Sequence, residues 1–84
     1  MRFLITMNMP SKSGNAIHQI IAEHPAESID EMREALESND FIEIEEFYKN
    51  LQGDYYSTGR VLINHKFVGK VRAFVRNTHA YNDH

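Results

Sequence analysis

The residues best suited to chemistry lie in one stretch near the carboxyl end of the chain, residues 66–76. With the two-residue period of a β-strand, one side of this stretch is small and apolar and the other carries four positive charges. The charged side holds Lys66, Val68, Lys70, Arg72, Phe74 and Arg76. Aligned cations attract phosphates and carboxylates, and an exposed aromatic ring offers a surface on which a base can stack. The pattern predicts a binding surface for an anionic partner, with nucleic acid, a nucleotide or an acidic protein surface as candidates.

Two further bases extend this candidate surface. Arg60 lies on the preceding predicted strand, and Lys12 lies in a polar loop over residues 11–15. We expect that loop to precede a helix, whose first free N–H groups favour anions. Its order, Lys-Ser-Gly, departs from the Gly-Lys-Ser/Thr order of a nucleotide-triphosphate loop, so an ordinary connection is the simpler interpretation.

The charges of the chain are sorted along its length, which supplies an alternative. Residues 23–46 contain ten acidic residues and one arginine, whereas residues 47–82 contain six bases and one acidic residue, although the net charge is only −3. Glu43, Glu45 and Glu46 lie on a strand that can neighbour the basic one. Opposite charges facing each other across two strands contribute about 0.2–1 kcal/mol per pair. Bases on a strand at the sheet edge also guard against aggregation.

The acidic block has its own interpretation as an interaction surface. Glu27, Asp30, Glu31, Glu34 and Glu37 lie along the exposed side of a predicted helix. Such a surface can mimic a phosphate backbone, dock on a basic partner, or simply keep the helix solvated. A homo-oligomer in which the acidic helix of one copy meets the basic strand of the next is the second hypothesis, because a twofold interface satisfies both charged surfaces.

Catalysis is a minority hypothesis. The chain has no cysteine, which excludes a disulfide, a thiolate metal site and a thiol nucleophile. Its five histidines do not have the spacing of a metal site, so we expect no metal and no cofactor. A small enzyme using His65 or Glu43 in a cleft is the third hypothesis, and no set of residues has the local frame of a catalytic triad.

Periodicity places these residues on secondary structure. Residues 2–9 alternate as a strand, and Pro10 ends it. Ile17, Ile20 and Ile21 after Asn15 predict a short helix that stops before Pro25. Ser28 and Glu31 form a capping box for a second helix, with an apolar stripe and Asn39 as its stop. That stripe consists of Ile29, Met32 and Leu36.

The remainder of the chain predicts an antiparallel meander of three strands. They cover residues 41–48, 55–63 and 66–76, with a β-bulge at Glu45–Glu46 and a tight connection at Asn64–His65. The last two strands, over residues 59–64 and 68–71, resemble the final hairpin of many small barrels, including the second motif of Sm-like RNA-binding proteins. That likeness covers fewer than twenty residues, and the first Sm motif has no counterpart in this chain.

The expected fold class is α+β, with two short helices on one face of a four-stranded, mostly antiparallel sheet in the order β-α-α-β-β-β. We expect a single domain over residues 1–76 and a flexible polar tail over residues 77–84. The apolar run at the amino terminus is too short for a signal peptide, and no stretch is long enough to span a membrane. The sequence therefore predicts a cytoplasmic binding protein that does not contact a membrane.

Overall fold

The computed structural model describes residues 1–74, which form five strands, one α-helix and one 3-10 turn. In chain order the elements are β1 (Arg2–Ser11), β2 (Gly14–Glu23), α1 (Ile29–Ser38), β3 (Phe41–Lys49), β4 (Tyr55–Asn64), the 3-10 turn (His65–Phe67) and β5 (Val68–Ala73). All strand pairs are antiparallel, and the sheet order is β4-β3-β2-β1-β5. Arg76 and the predicted tail, residues 77–84, lie outside the described residues.

The first predicted helix is wrong, because residues 14–23 form β2. This strand pairs with β1 along its whole length in a hairpin whose two-residue loop is Lys12 and Ser13. Gly14 closes the turn at a positive φ of 119°, which glycine adopts without steric cost. The apolar residues that matched a helical period also fit a strand, with Ile20 on the core face and Ile17 and Ile21 on the other. The strand thus divides the three isoleucines between its two faces, and pairing with β1 overrides the helical period that they match locally.

The predicted meander is correct for β3 and β4 and wrong for β5. β3 and β4 pair over nine positions, with a register shift between Glu46 and Phe47 next to the predicted bulge. β5 instead crosses the molecule to pair with β1. Consequently β4 and β5 lie at opposite edges of the sheet and do not form the small-barrel hairpin that they resemble in sequence. The physical reason is that β1 is interior and needs backbone partners along both of its edges.

The second predicted helix is confirmed as α1. The Ser28 hydroxyl accepts a hydrogen bond from the Glu31 N–H at 3.1 Å, as a capping box requires. The Glu31 carboxylate accepts from the Glu27 N–H at 2.9 Å, one residue before the expected donor. At the other end the Asn39 side chain donates to the Ala35 carbonyl at 2.8 Å. Local capping signals therefore set both ends of this helix.

The hydrophobic core lies between α1 and one face of the sheet. Its buried residues are Phe3, Ile5, Met7, Ala22, Ala26, Met32, Ile42, Ile44 and Ile63. The strand residues among them follow the two-residue period, so the core face is the one that bears Phe3 and Ile5. Met32 is the only buried residue of α1. The fold is thus of the α+β type with five strands and one helix, in place of the expected four strands and two helices.

A compact connection joins β2 to α1. The His24 N–H donates to the Met1 carbonyl at 3.1 Å, and the terminal ammonium of Met1 donates to the His24 carbonyl at 2.8 Å. The Nδ1 atom of His24 accepts a hydrogen bond from the Ala26 N–H at 3.0 Å. Partial burial, together with the nearby terminal ammonium, lowers the pKa of His24 below its ordinary value of 6.5. The structure therefore favours the neutral imidazole at this position.

Within residues 1–74, no helix has both the length and the apolar character needed to cross a membrane.

We predict that Met32→Ala lowers the free energy of unfolding by about 2–5 kcal/mol, because it removes the one fully buried anchor of α1 and leaves a cavity. Urea denaturation measures this loss. Ile29→Ala is the matched control on the same helix, since Ile29 is 41% exposed, and we expect it to cost well under half as much. Equal losses in the two variants would contradict the assignment of Met32 as the anchor.

We predict that the free energy of unfolding falls as the pH drops below about 6.5, because the pKa of His24 is lower in the folded chain than in the unfolded chain. The unfolded chain binds this proton more readily than the folded chain, so protonation favours unfolding, and the contribution is fully present only above about 6.5. Denaturation between about pH 7.5 and 5 measures the slope, which we expect to flatten in His24→Gln. His18→Gln, at an exposed position, is the control. If His18→Gln flattened the slope and His24→Gln did not, the pH dependence of stability would not arise from His24.

Candidate anion-binding surface

Lys70 and Arg72 lie on β5, the edge strand next to β1. Both side chains are exposed, and their register partners on β1 are Thr6 and Leu4. These residues point away from the core face, so they belong to the sheet surface that α1 does not cover. We call this surface, defined by Leu4, Thr6, Ile21, Lys70 and Arg72, the open face. Alternation along β5 therefore confirms that two of the predicted site residues share one exposed surface.

Lys70 and Arg72 form no ion pair and no side-chain hydrogen bond with any other residue in 1–74. The sheet order explains why the glutamates of β3 do not reach them, since β2 and β1 lie between β3 and β5. Glu43 and Glu45 therefore form no ion pair with the basic strand in residues 1–74.

Those glutamates face Arg60 instead. Arg60 lies on β4, at the opposite edge of the sheet, and its Nε donates to Glu43 Oε2 at 2.5 Å. The hydrogen bond and charge of Glu43, aided by the charge of Glu45, raise the pKa of Arg60 above its ordinary value. A base that already holds a carboxylate is a poor site for a second anion. Arg60 therefore lies apart from Lys70 and Arg72 in the sheet order and is already paired with Glu43.

Phe74 directly follows β5 and is half-buried. Its ring meets Tyr55 edge-on, with centroids 5.6 Å apart. Nearby on the same surface, the Arg2 guanidinium lies 4.2 Å from the centroid of Phe47 and pairs with Glu23 at 3.3 Å. The aromatic rings at this end of the open face are therefore engaged with one another or with a cation. Phe74 adjoins the basic strand as expected, but part of its surface is already in contact.

The other predicted site residues are dispersed. Lys66 lies in the 3-10 turn, where its N–H donates to Asn64 Oδ1 at 3.0 Å, so the strand period does not extend to it. Val68 pairs with Met7 and Gly69 is an extra residue in a bulge, which turns Val68 toward the core. Lys12 is exposed at the tip of the β1–β2 hairpin. Arg76 lies outside the described residues.

The sequence prediction missed the contribution of β1 to this surface. Two rows cross the open face, one of Arg72, Leu4 and Ile21 and one of Lys70, Thr6 and Gln19. The sequence contains part of this information, because alternation along the first strand places Leu4 and Thr6 on one side of it. Without knowing that β5 pairs with β1, these residues could not be assigned to the basic surface.

A shallow cavity of about 260 Å³ adjoins the acidic half of the same surface. It is lined by Glu23, Glu43 and Glu45 together with Arg60 and His24. Arg2 and Arg60 hold two of these carboxylates in ion pairs. In the described part of the chain, no group of three or more histidine or acidic residues is arranged to hold a metal ion.

His65 does not line this cavity. It lies in the 3-10 turn, where its Nε2 is 4.0 Å from Asp40 Oδ1. Of the two residues named by the enzyme hypothesis, His65 or Glu43, only Glu43 lines this cavity.

Comparison of the chain with protein-family models, with curated proteins and with solved structures finds no match.

Proposed function

We propose that the protein is a binding module that engages an anionic partner through Lys70 and Arg72 on β5, with Phe74 at the end of that strand. The observation that carries the proposal is that these two cations are exposed on one surface and have no anionic partner in residues 1–74. The other arginines of this region, Arg2, Arg33 and Arg60, are each in an ion pair.

Electrostatics support binding in preference to a structural role for these two side chains. An exposed cation without a partner adds little to folding stability and repels its neighbour of like charge. Lys70 and Arg72 are two residues apart on the same side of β5, so they repel each other in the free protein. An anion placed between them removes that repulsion. The surface is therefore better satisfied in a complex than alone.

We predict that the double variant Lys70→Gln, Arg72→Gln loses most of its affinity for an anionic ligand and most of the salt dependence of binding. For a short oligothymidylate, the slope of log affinity against log salt falls in magnitude by about 1.4 if both residues contact phosphates. Titration at several salt concentrations, with the oligothymidylate and separately with an acidic peptide, measures the slope.

The matched control is Lys12→Gln, Arg60→Gln, which removes a lysine at the tip of the β1–β2 hairpin and an arginine on β4, at the opposite edge of the sheet, and leaves the same net charge. We expect this control to change the slope little. If both double variants lowered it equally, overall charge would be responsible and the assigned surface would be wrong. If neither changed it, the proposal would fail.

A homo-oligomer is the second candidate function, favoured by the exposed acidic residues of α1. Asp30, Glu31, Glu34 and Glu37 are all exposed, and within residues 1–74 only Asp30 among them pairs with a base, Arg33. We predict that, if these residues meet β5 of another copy, the mass in solution exceeds the 9.8 kDa of one chain at low salt and falls to it at high salt. Light scattering at two salt concentrations tests this, and a mass of one chain under both conditions contradicts it.

A further inference from the structure

The backbone of β5 presents an unpaired edge beside the two cations. The Phe74 N–H donates to the Arg2 carbonyl at 2.9 Å, which sets the phase of hydrogen bonding between β5 and β1. In an antiparallel ladder the bonded positions alternate, so Arg72 and Lys70 also bond toward β1. Val71 and Ala73 then direct their N–H and C=O groups away from β1. No strand in residues 1–74 pairs with that edge.

An apolar groove runs along the same edge on the core side of the sheet. It encloses about 230 Å³ between α1 and β5. Its apolar lining consists of Ile29, Met32 and Leu36 from the helix and Val68 and Val71 from the strand. Gly69, between those valines, has no side chain to narrow the opening, and its exposed position lies at the bulge. Arg33 and Glu37 from the helix and Lys70 from the strand also line the groove, so an entering side chain would meet both apolar and charged groups.

The edge therefore presents three different features in register. Its backbone offers donors and acceptors, its core side offers an apolar groove, and its open-face side offers Lys70 and Arg72. A strand added to this edge projects alternate side chains to the two faces. We propose, resting on the anion-binding function above, that the partner is an extended peptide segment of alternating acidic and apolar residues, which pairs with β5 as a sixth strand.

The sheet itself contains a strand of this composition. In β3, Glu43 and Glu45 lie on the same face as Arg60, while Ile42 and Ile44 are buried on the core side. Cross-strand pairing thus already joins alternating glutamate and isoleucine to β4, which carries one base, Arg60, in an ion pair with Glu43. The proposed ligand repeats at the β5 edge the arrangement that β3 and β4 make at the other side of the sheet.

A peptide fits this edge better than a single-stranded nucleic acid. The nearby rings of Phe74 and Phe47 are in contact with Tyr55 and Arg2, so part of the ring surface on which bases would stack is already engaged. The other half of the open face is acidic, with Glu23, Glu43 and Glu45 around one cavity. A nucleic acid cannot use the backbone groups of the edge as a ladder, whereas a peptide satisfies both donors and acceptors.

A second copy of β5 is disfavoured as the occupant. An antiparallel twofold pairing centred on Val71 sets Lys70 of one copy opposite Arg72 of the other, on the same face. Like charges directly opposite each other destabilise a strand pair. The two bases therefore discourage self-association of the edge while attracting an acidic strand.

The test uses a capped peptide, Thr-Glu-Val-Glu-Ile-Glu-Thr, titrated into the full chain. Two control peptides have the same length: a rearranged one, Glu-Glu-Glu-Thr-Val-Ile-Thr, and a basic one in which lysine replaces glutamate. We expect the alternating acidic peptide to bind more tightly than either control. The variant Lys70→Gln, Arg72→Gln should weaken its binding about tenfold at low salt, because two cross-strand charge pairs are lost.

The backbone edge is tested with Ala73→Pro. Proline is tolerated on an edge strand where the N–H faces solvent, so this change removes one outward donor and keeps the ladder to β1. We expect a loss of about fivefold in peptide affinity, corresponding to one net hydrogen bond. Leu62→Pro is the matched control, because Leu62 is an exposed residue whose N–H faces outward on the opposite edge strand, β4. It should leave peptide affinity unchanged.

Amide hydrogen exchange in the unsubstituted protein gives a second readout that does not depend on a proline variant folding. The peptide should slow exchange at Val71 and Ala73 and leave Leu62 unaffected. If the peptide binds but exchange at Val71 and Ala73 is unchanged, the added-strand inference is overturned while the anion-binding function stands. If oligothymidylate binds more tightly than the peptide and depends on Lys70 and Arg72 in the same way, the added-strand inference is likewise overturned while the anion-binding function stands. If neither ligand responds to those two residues, both proposals are overturned.

Discussion

The structure depends on the hydrogen-bonding requirement of β1. This strand carries Phe3, Ile5 and Met7 into the core, so it is interior and both of its backbone edges need partners. β2 pairs with one edge and β5 with the other. The crossover of β5 follows from that requirement, because a third strand added next to β4 would leave β1 at an unprotected edge. The position of Lys70 and Arg72 at the edge of the sheet follows from this pairing.

The same pairing separates the charges of the sheet. Glutamates of β3 meet Arg60, and Glu23 meets Arg2, so the acidic half is partly neutralised within the chain. Lys70 and Arg72 are carried three strands away, where they meet no carboxylate within the described residues. One sheet order therefore explains both why these glutamates are paired and why Lys70 and Arg72 are exposed. One edge of the sheet then brings together the two exposed cations, the unpaired backbone of β5 and the adjoining groove. The proposed acidic strand contacts all three there.

Some of this was predictable from local signals. The capping box at Ser28 and Glu31 and the stop at Asn39 predicted α1, because such caps act over three or four residues. Alternation predicted β1 and the shared side of Lys70 and Arg72 for the same reason. The error over β2 has a different origin: its three isoleucines match a helical stripe, and pairing with β1 overrides that local period and divides them between the two faces of a strand.

The sequence by itself determined the amphipathic elements, the ends of α1 and the placement of two bases on one side of a strand. These properties arise from interactions between residues close together in the chain. Only the tertiary structure decided which strands are neighbours. That order placed Arg60 on the strand at the opposite edge from Lys70 and Arg72, which form no ion pair within residues 1–74. The physical reason is that strand pairing joins residues far apart in sequence, and the burial of a shared core, which no local pattern contains, selects one order among several.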